Sequence, residues 1–154
     1  MERKEFLKTL GAGAAFAITF SCLHGCSDKG GGEEPLLPVP TGVDFTIDLS
    51  ASSSSNLQNN GGFIFVKSKA TFTENDIIVV RNLEGNLVAA SKICSAHGNP
   101  QIEFFNENNG IFICGHQGAR FNQVGDPLNS ISEGRPLKIF QTELLPNNIL
   151  RIFE

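Results

Sequence analysis

The chain has no tryptophan, no tyrosine and a single methionine, whereas phenylalanine occurs 13 times. Basic residues are not in excess: 12 Lys and Arg against 16 Asp and Glu give a net charge of −4. Nucleic-acid binding needs a clustered basic face, so the composition argues against that partner. No apolar run reaches the roughly 20 residues of a membrane-spanning helix. Only 4 cysteines occur in 154 residues, too few for a disulfide-dense scaffold. What is present suits one globular domain: 40% hydrophobic and 18% charged residues.

The cysteines fall into two groups. Cys22 and Cys26 lie at the end of a weakly apolar N-terminal stretch, Leu10 to about Leu23, behind a basic start. A basic start, a short apolar core and small residues describe an export signal. The run Arg3-Lys4-Glu5-Phe6-Leu7-Lys8 resembles a twin-arginine signal with Lys4 in place of the second Arg, and that resemblance implies export of an already folded protein. Leu23-His24-Gly25-Cys26 resembles a lipoprotein signal box, which implies cleavage before Cys26 and acylation of that residue. A plain cleaved signal and an uncleaved membrane anchor are the alternatives. Residues 1–25 are thus expected to be the signal. The mature chain from Cys26 loses Arg3, Lys4, Lys8, Glu2 and Glu5 and carries a net charge of −5. Acyl chains on Cys26 would tether it to a bacterial membrane, facing periplasm or exterior. Residues 26–42, with three consecutive Gly, two Glu and three Pro, read as a spacer on which Leu36 and Leu37 could still dock on the domain.

From residue 43 the pattern becomes short strands between turn residues. Val43, Phe45, Ile47 and Leu49 alternate with polar residues, and Ser52 to Gly62 reads as a long polar turn. Phe63–Val66 and Ile77–Val80 are compact apolar strands, and Leu87–Ile93 is a third. Gln101–Phe105 with Ile111–Ile113, and Leu137–Thr142 with Ile149–Phe153, read as hairpins. No helical periodicity of ten or more residues is present. The expected fold over 43–154 is therefore all-β, an antiparallel sandwich or barrel.

The first hairpin joins two loops, Cys94-Ser95-Ala96-His97-Gly98-Asn99-Pro100 and Cys114-Gly115-His116-Gln117-Gly118-Ala119-Arg120-Phe121. Folding back brings them side by side, each with one sulfur and one imidazole. Two sulfurs and two nitrogens suit a tetrahedral zinc or an iron–sulfur centre.

These loops resemble those of the Rieske [2Fe–2S] family, in which two Cys hold one iron and two His the other. Cys94, Gly98 and Pro100 fall on the family's first loop pattern, and Cys114, Gly118, Ala119 and Phe121 on its second. Gly134-Arg135-Pro136-Leu137-Lys138-Ile139-Phe140 resembles its closing strand. Both histidines are displaced by one: Ala96 and Gln117 stand where the family has His, and His97 and His116 stand beside them. The resemblance implies a Rieske-like subdomain with cluster loops at about 93–131, a [2Fe–2S] cluster on Cys94, His97, Cys114 and His116, and electron transfer to a partner protein, such as a respiratory or oxidoreductase complex. Gly98, Gly115 and Gly118 are expected to let backbone N–H groups approach the sulfurs, with Pro100 and Ala119 supporting the loops. Asp126-Pro127 is expected to start a covering loop. The resemblance implies that high-potential members have a Ser donor where Ala119 stands, a second donor from a Tyr, and a loop-bridging disulfide where Asn99 and His116 stand; all three are absent here, so a potential toward the low end of about −150 to +300 mV is expected.

Three alternatives stay open at the same residues: a Cys2His2 zinc site, a Cys94–Cys114 disulfide, and a degenerate site that holds no cluster. Each belongs to a non-redox lipoprotein domain. No independent nucleophile–base pair is visible, and the length leaves no room for a second catalytic-iron domain.

Overall fold

A computed structural model describes residues 36–154. The expected export signal, the spacer up to residue 35, Cys22 and Cys26 lie outside the described residues. Nine strands form: β1 (Asp44–Asp48), β2 (Phe63–Val66), β3 (Ile77–Arg81), β4 (Leu87–Ser91), β5 (Ile102–Phe105), β6 (Ile111–Cys114), β7 (Arg120–Phe121), β8 (Ile139–Leu145) and β9 (Ile149–Phe153). They make a six-stranded sheet in the order β1-β9-β8-β4-β3-β2 and a three-stranded sheet β5-β6-β7, with every pairing antiparallel. The expected all-β antiparallel class is the observed one. No helix among the described residues is long and apolar enough to cross a membrane.

The Ile-Ile-Val-Val run of β3 shows why the core has two halves. Side chains alternate along a strand, so an unbroken apolar run must be covered on both faces. Ile78 and Val80 pack with Ile102, Phe104, Phe112 and Phe121 of the small sheet. Ile77 and Val79 face the other way, toward Val43, Leu57, Phe140, Leu150 and Ile152. Cys94 and Cys114 belong to the first half, so the candidate site is anchored in the core between the two sheets.

Besides the unexpected two-residue β7, three elements differ from the expectation. Ser52–Gln58 is a 3-10 helix rather than an open turn, held where the Ser54 hydroxyl donates to the Asp48 carbonyl and the Gln58 amide to the Leu49 carbonyl. Its reward is Leu57, which is completely buried. β4 stops at Ser91 rather than Ile93 because the buried Ser91 hydroxyl takes the Ile93 N–H and donates to the Ile93 carbonyl, a local turn that competes with the ladder. β8 starts at Ile139 and runs on to Leu145, completing a five-pair register with β9.

Phe112 lies at the centre of the first half, fully buried and edge-on to Phe104 at 5.4 Å between ring centroids. Phe112→Ala is expected to cost about 3–5 kcal/mol. A urea unfolding midpoint that moves accordingly, with an unchanged slope, is the check.

Candidate metal centre

The β5–β6 hairpin sets the positions of both loops. Ile102 pairs with Cys114, so the end of the first loop lies beside the start of the second. The Ile102 N–H also donates to the Lys92 carbonyl at 3.0 Å, closing the base of the first loop.

The two loops are built as the same turn. The Cys94 N–H donates to the Asn99 carbonyl (2.9 Å), and the Gly98 N–H donates back to the Cys94 carbonyl (2.7 Å). In the second loop the Cys114 N–H donates to the Ala119 carbonyl and the Gly118 N–H to the Cys114 carbonyl, both at 2.8 Å. Each turn closes through a left-handed residue, Gly98 at φ +63° and Gly118 at φ +79°, which a side chain would disfavour. Within each turn the backbone N–H groups two and three residues after the cysteine approach its sulfur: those of Ala96 and His97 at Cys94, and those of His116 and Gln117 at Cys114. Gly98 and Gly118 allow this approach by closing the turns, whereas Gly115 does not take part in the closure and donates to the Gln101 carbonyl at 2.9 Å.

Because the turns match, the histidines occupy different steps of one frame. His97 is the third residue after its cysteine and His116 the second. His97 is half-buried, with Nδ1 3.5 Å from Cys94 Sγ and 3.9 Å from Cys114 Sγ. Cys94, His97 and Cys114 form one three-donor group, with donor atoms within 4.8 Å of one another. His116 is exposed, and its ring centroid lies 5.9 Å from that of His97. Gln117 is exposed, and Ala96 packs against the core. Cys94 and Cys114 are both free thiols.

The residues expected to support the loops have identifiable tasks. Ala119 is fully buried beneath the second turn, and its carbonyl closes that turn. Pro100 lines an apolar pocket of about 180 Å³ together with Leu37, Pro38, Phe72 and Ile93. After Asp126-Pro127 the chain covers both turns. The Asn129 amide donates to the Gly118 carbonyl (2.8 Å) and its oxygen accepts the Arg120 N–H (3.2 Å). Ser95 donates to the Pro136 carbonyl at 2.6 Å. The spacer also takes part: the Leu37 N–H donates to the Gly98 carbonyl (2.9 Å), and Leu36 lies so close that a Cβ on Gly98 would meet it at 2.8 Å. Leu36 and Leu37 dock on the domain as their apolar side chains in a polar spacer suggest, whereas Asn129 and Ser95 carry no local sequence signal, because their partners are distant along the chain.

Cys94 and Cys114 titrate as a pair. Their mutual interaction, with burial added, holds Cys94 protonated well above the ordinary thiol range. The same interaction, with help from His97 and the backbone N–H groups and against burial, lowers Cys114 to about 5. Burial alone would raise both. Between about pH 5 and the ordinary thiol range the folded pair binds one proton where the unfolded chain binds two. The pair's contribution to stability therefore rises with pH across that window and is lost as pH falls through about 5. In metal-free protein the ultraviolet thiolate absorbance is expected to show one thiolate at neutral pH, disappearing near pH 5, and Cys114→Ser is expected to remove it.

No protein-family model and no curated protein matches the chain. A search of solved structures does give matches. One is NdmB of Pseudomonas putida CBB5, at 14% identity and a TM-score of 0.47, covering 78% of this chain. The chain spans 38% of the length of NdmB.

Proposed function

We propose that the domain is an electron-transfer protein whose centre is a Rieske-type [2Fe–2S] cluster held by Cys94, Cys114, His97 and His116. The observation that carries this reading is the layering of the site: two buried sulfurs in matched turns lie below two neighbouring imidazoles, of which one is half-buried and the other exposed. A cluster that takes up and gives back one electron needs its sulfur-bound iron sheltered and its imidazole edge within reach of a partner.

The donor set fits this group in number and kind. The backbone N–H groups of Ala96, His97, His116 and Gln117 stabilise charge on the sulfurs whatever metal they bind. Cys94 and Cys114 would hold one iron, and His97 and His116, with ring centroids 5.9 Å apart, would hold the other. In the same reading the protein is exported, anchored by lipid on Cys26, and exchanges electrons with a membrane-associated partner protein. The net charge of −5 from Cys26 onward favours a basic docking face on that partner.

The chain purified anaerobically is expected to be coloured, with two iron and two sulfide and an EPR signal on reduction. His97→Ala and His116→Ala are expected to abolish that signal, whereas Gln117→Ala leaves it intact. A colourless, iron-free protein rejects the reading. Cys26→Ala is expected to move the protein from the membrane to the soluble fraction, as fractionation and immunoblotting would show.

A further inference from the structure

We infer that Cys94 Sγ, Cys114 Sγ and His97 Nδ1, as they stand, form a binding site for a single thiophilic divalent cation of the zinc kind, with a fourth coordination position open beside His116. The inference rests on the reading that the two turns make a metal centre. It does not depend on that metal being an iron–sulfur cluster.

The distances carry it. Metal–sulfur bonds of about 2.3 Å and metal–nitrogen bonds of about 2.0–2.1 Å, set at tetrahedral angles, place sulfur and nitrogen about 3.6 Å apart. The observed separations from His97 Nδ1 are 3.5 Å and 3.9 Å, and all three donors lie within 4.8 Å of one another. The two sulfur–nitrogen edges therefore match those of a coordination tetrahedron around one ion, and the sulfur–sulfur edge is no longer than 4.8 Å. A two-iron cluster puts sulfur and nitrogen on different metals and needs them farther apart.

Charge and positioning agree with the distances. Two thiolates and a neutral imidazole cancel a dication, so the core takes in no net charge, and any thiol proton leaves to solvent as the ion binds. The backbone N–H groups at each sulfur supply the outer hydrogen bonds that a thiolate ligand requires. The asymmetry of the histidines explains the open position. His97 reaches the sulfurs from the third step of its turn, whereas the exposed His116 at the second step stays outside the three-donor group. Three protein ligands with a free fourth position are the pattern of reactive rather than purely structural zinc sites. The same sulfurs cannot serve both occupants, so a zinc-type ion and a [2Fe–2S] cluster compete for this domain.

The test is an anaerobic titration of metal-free, full-length protein with Co²⁺. One equivalent is expected to bind with thiolate-to-cobalt charge-transfer bands and the intense visible bands of tetrahedral cobalt. Cys94→Ser and Cys114→Ser should abolish them. His97→Ala should weaken binding by at least about tenfold, since even outer-shell partners of ligands matter to that degree. His116→Ala should leave affinity within a few-fold, and added imidazole should shift the spectrum by entering the open position. Circular dichroism controls for folding, and His97→Asn serves if the alanine variant unfolds. Octahedral or absent cobalt bands, wild-type affinity in the His97 variants, or a loss in His116→Ala as large as in His97→Ala would each overturn the inference. Iron and sulfide measured before the metal is stripped separate the two readings. An iron–sulfur protein that fails to bind cobalt overturns this inference alone, and an iron-free protein that binds it overturns only the cluster.

Discussion

Two sulfurs held out of water need donors, and the rest of the molecule is arranged around that requirement. Each cysteine starts a turn that folds its own N–H groups back over its sulfur and closes through a glycine. A buried polar group left without a partner costs about 1–3 kcal/mol, and charged groups cost more. A thiolate pair in the core is tolerable only if the turns stay closed. Asn129, Ser95 and the β5–β6 register all serve to keep them closed.

The β framework supplies the rigidity. β3 is buried on both faces and joins the two halves of the core, so the small sheet is seated on an element that cannot move alone. Phe112 and Phe121, both fully buried, pack in the same half of the core as Cys94, Cys114 and Ala119. The tight closure of the loops follows from this packing, because a dense interior passes displacement on instead of absorbing it.

Much of the fold was legible because its signals are local. Alternation marked β1, the unbroken apolar run marked β3, and the Asn-rich connection marked the β5–β6 hairpin. The Cys–His loops stood out because the chain from Val43 onward has only two cysteines and two histidines. Other features depended on distant partners. The seven-residue 3-10 helix has four serines in a row and no apolar period, and Leu57 gains its burial only from strands remote in sequence. The two-residue β7 is too short to show a pattern. The direction of each histidine was equally hidden, since spacing from the cysteine fixes a step in the turn but not which way the ring points. His97 and His116 look equivalent in sequence and differ in burial and reach.

The hydrogen bond from Leu37 to the Gly98 carbonyl joins the N-terminal segment to the residue that closes the Cys94 turn. Tension along the segment before Leu37 is therefore delivered to the turn carrying Cys94 and His97, and hardly at all to the one carrying Cys114. The lead-in is mechanically in series with one half of the centre. A displacement at Leu37 thus reaches one turn of the candidate centre before the other.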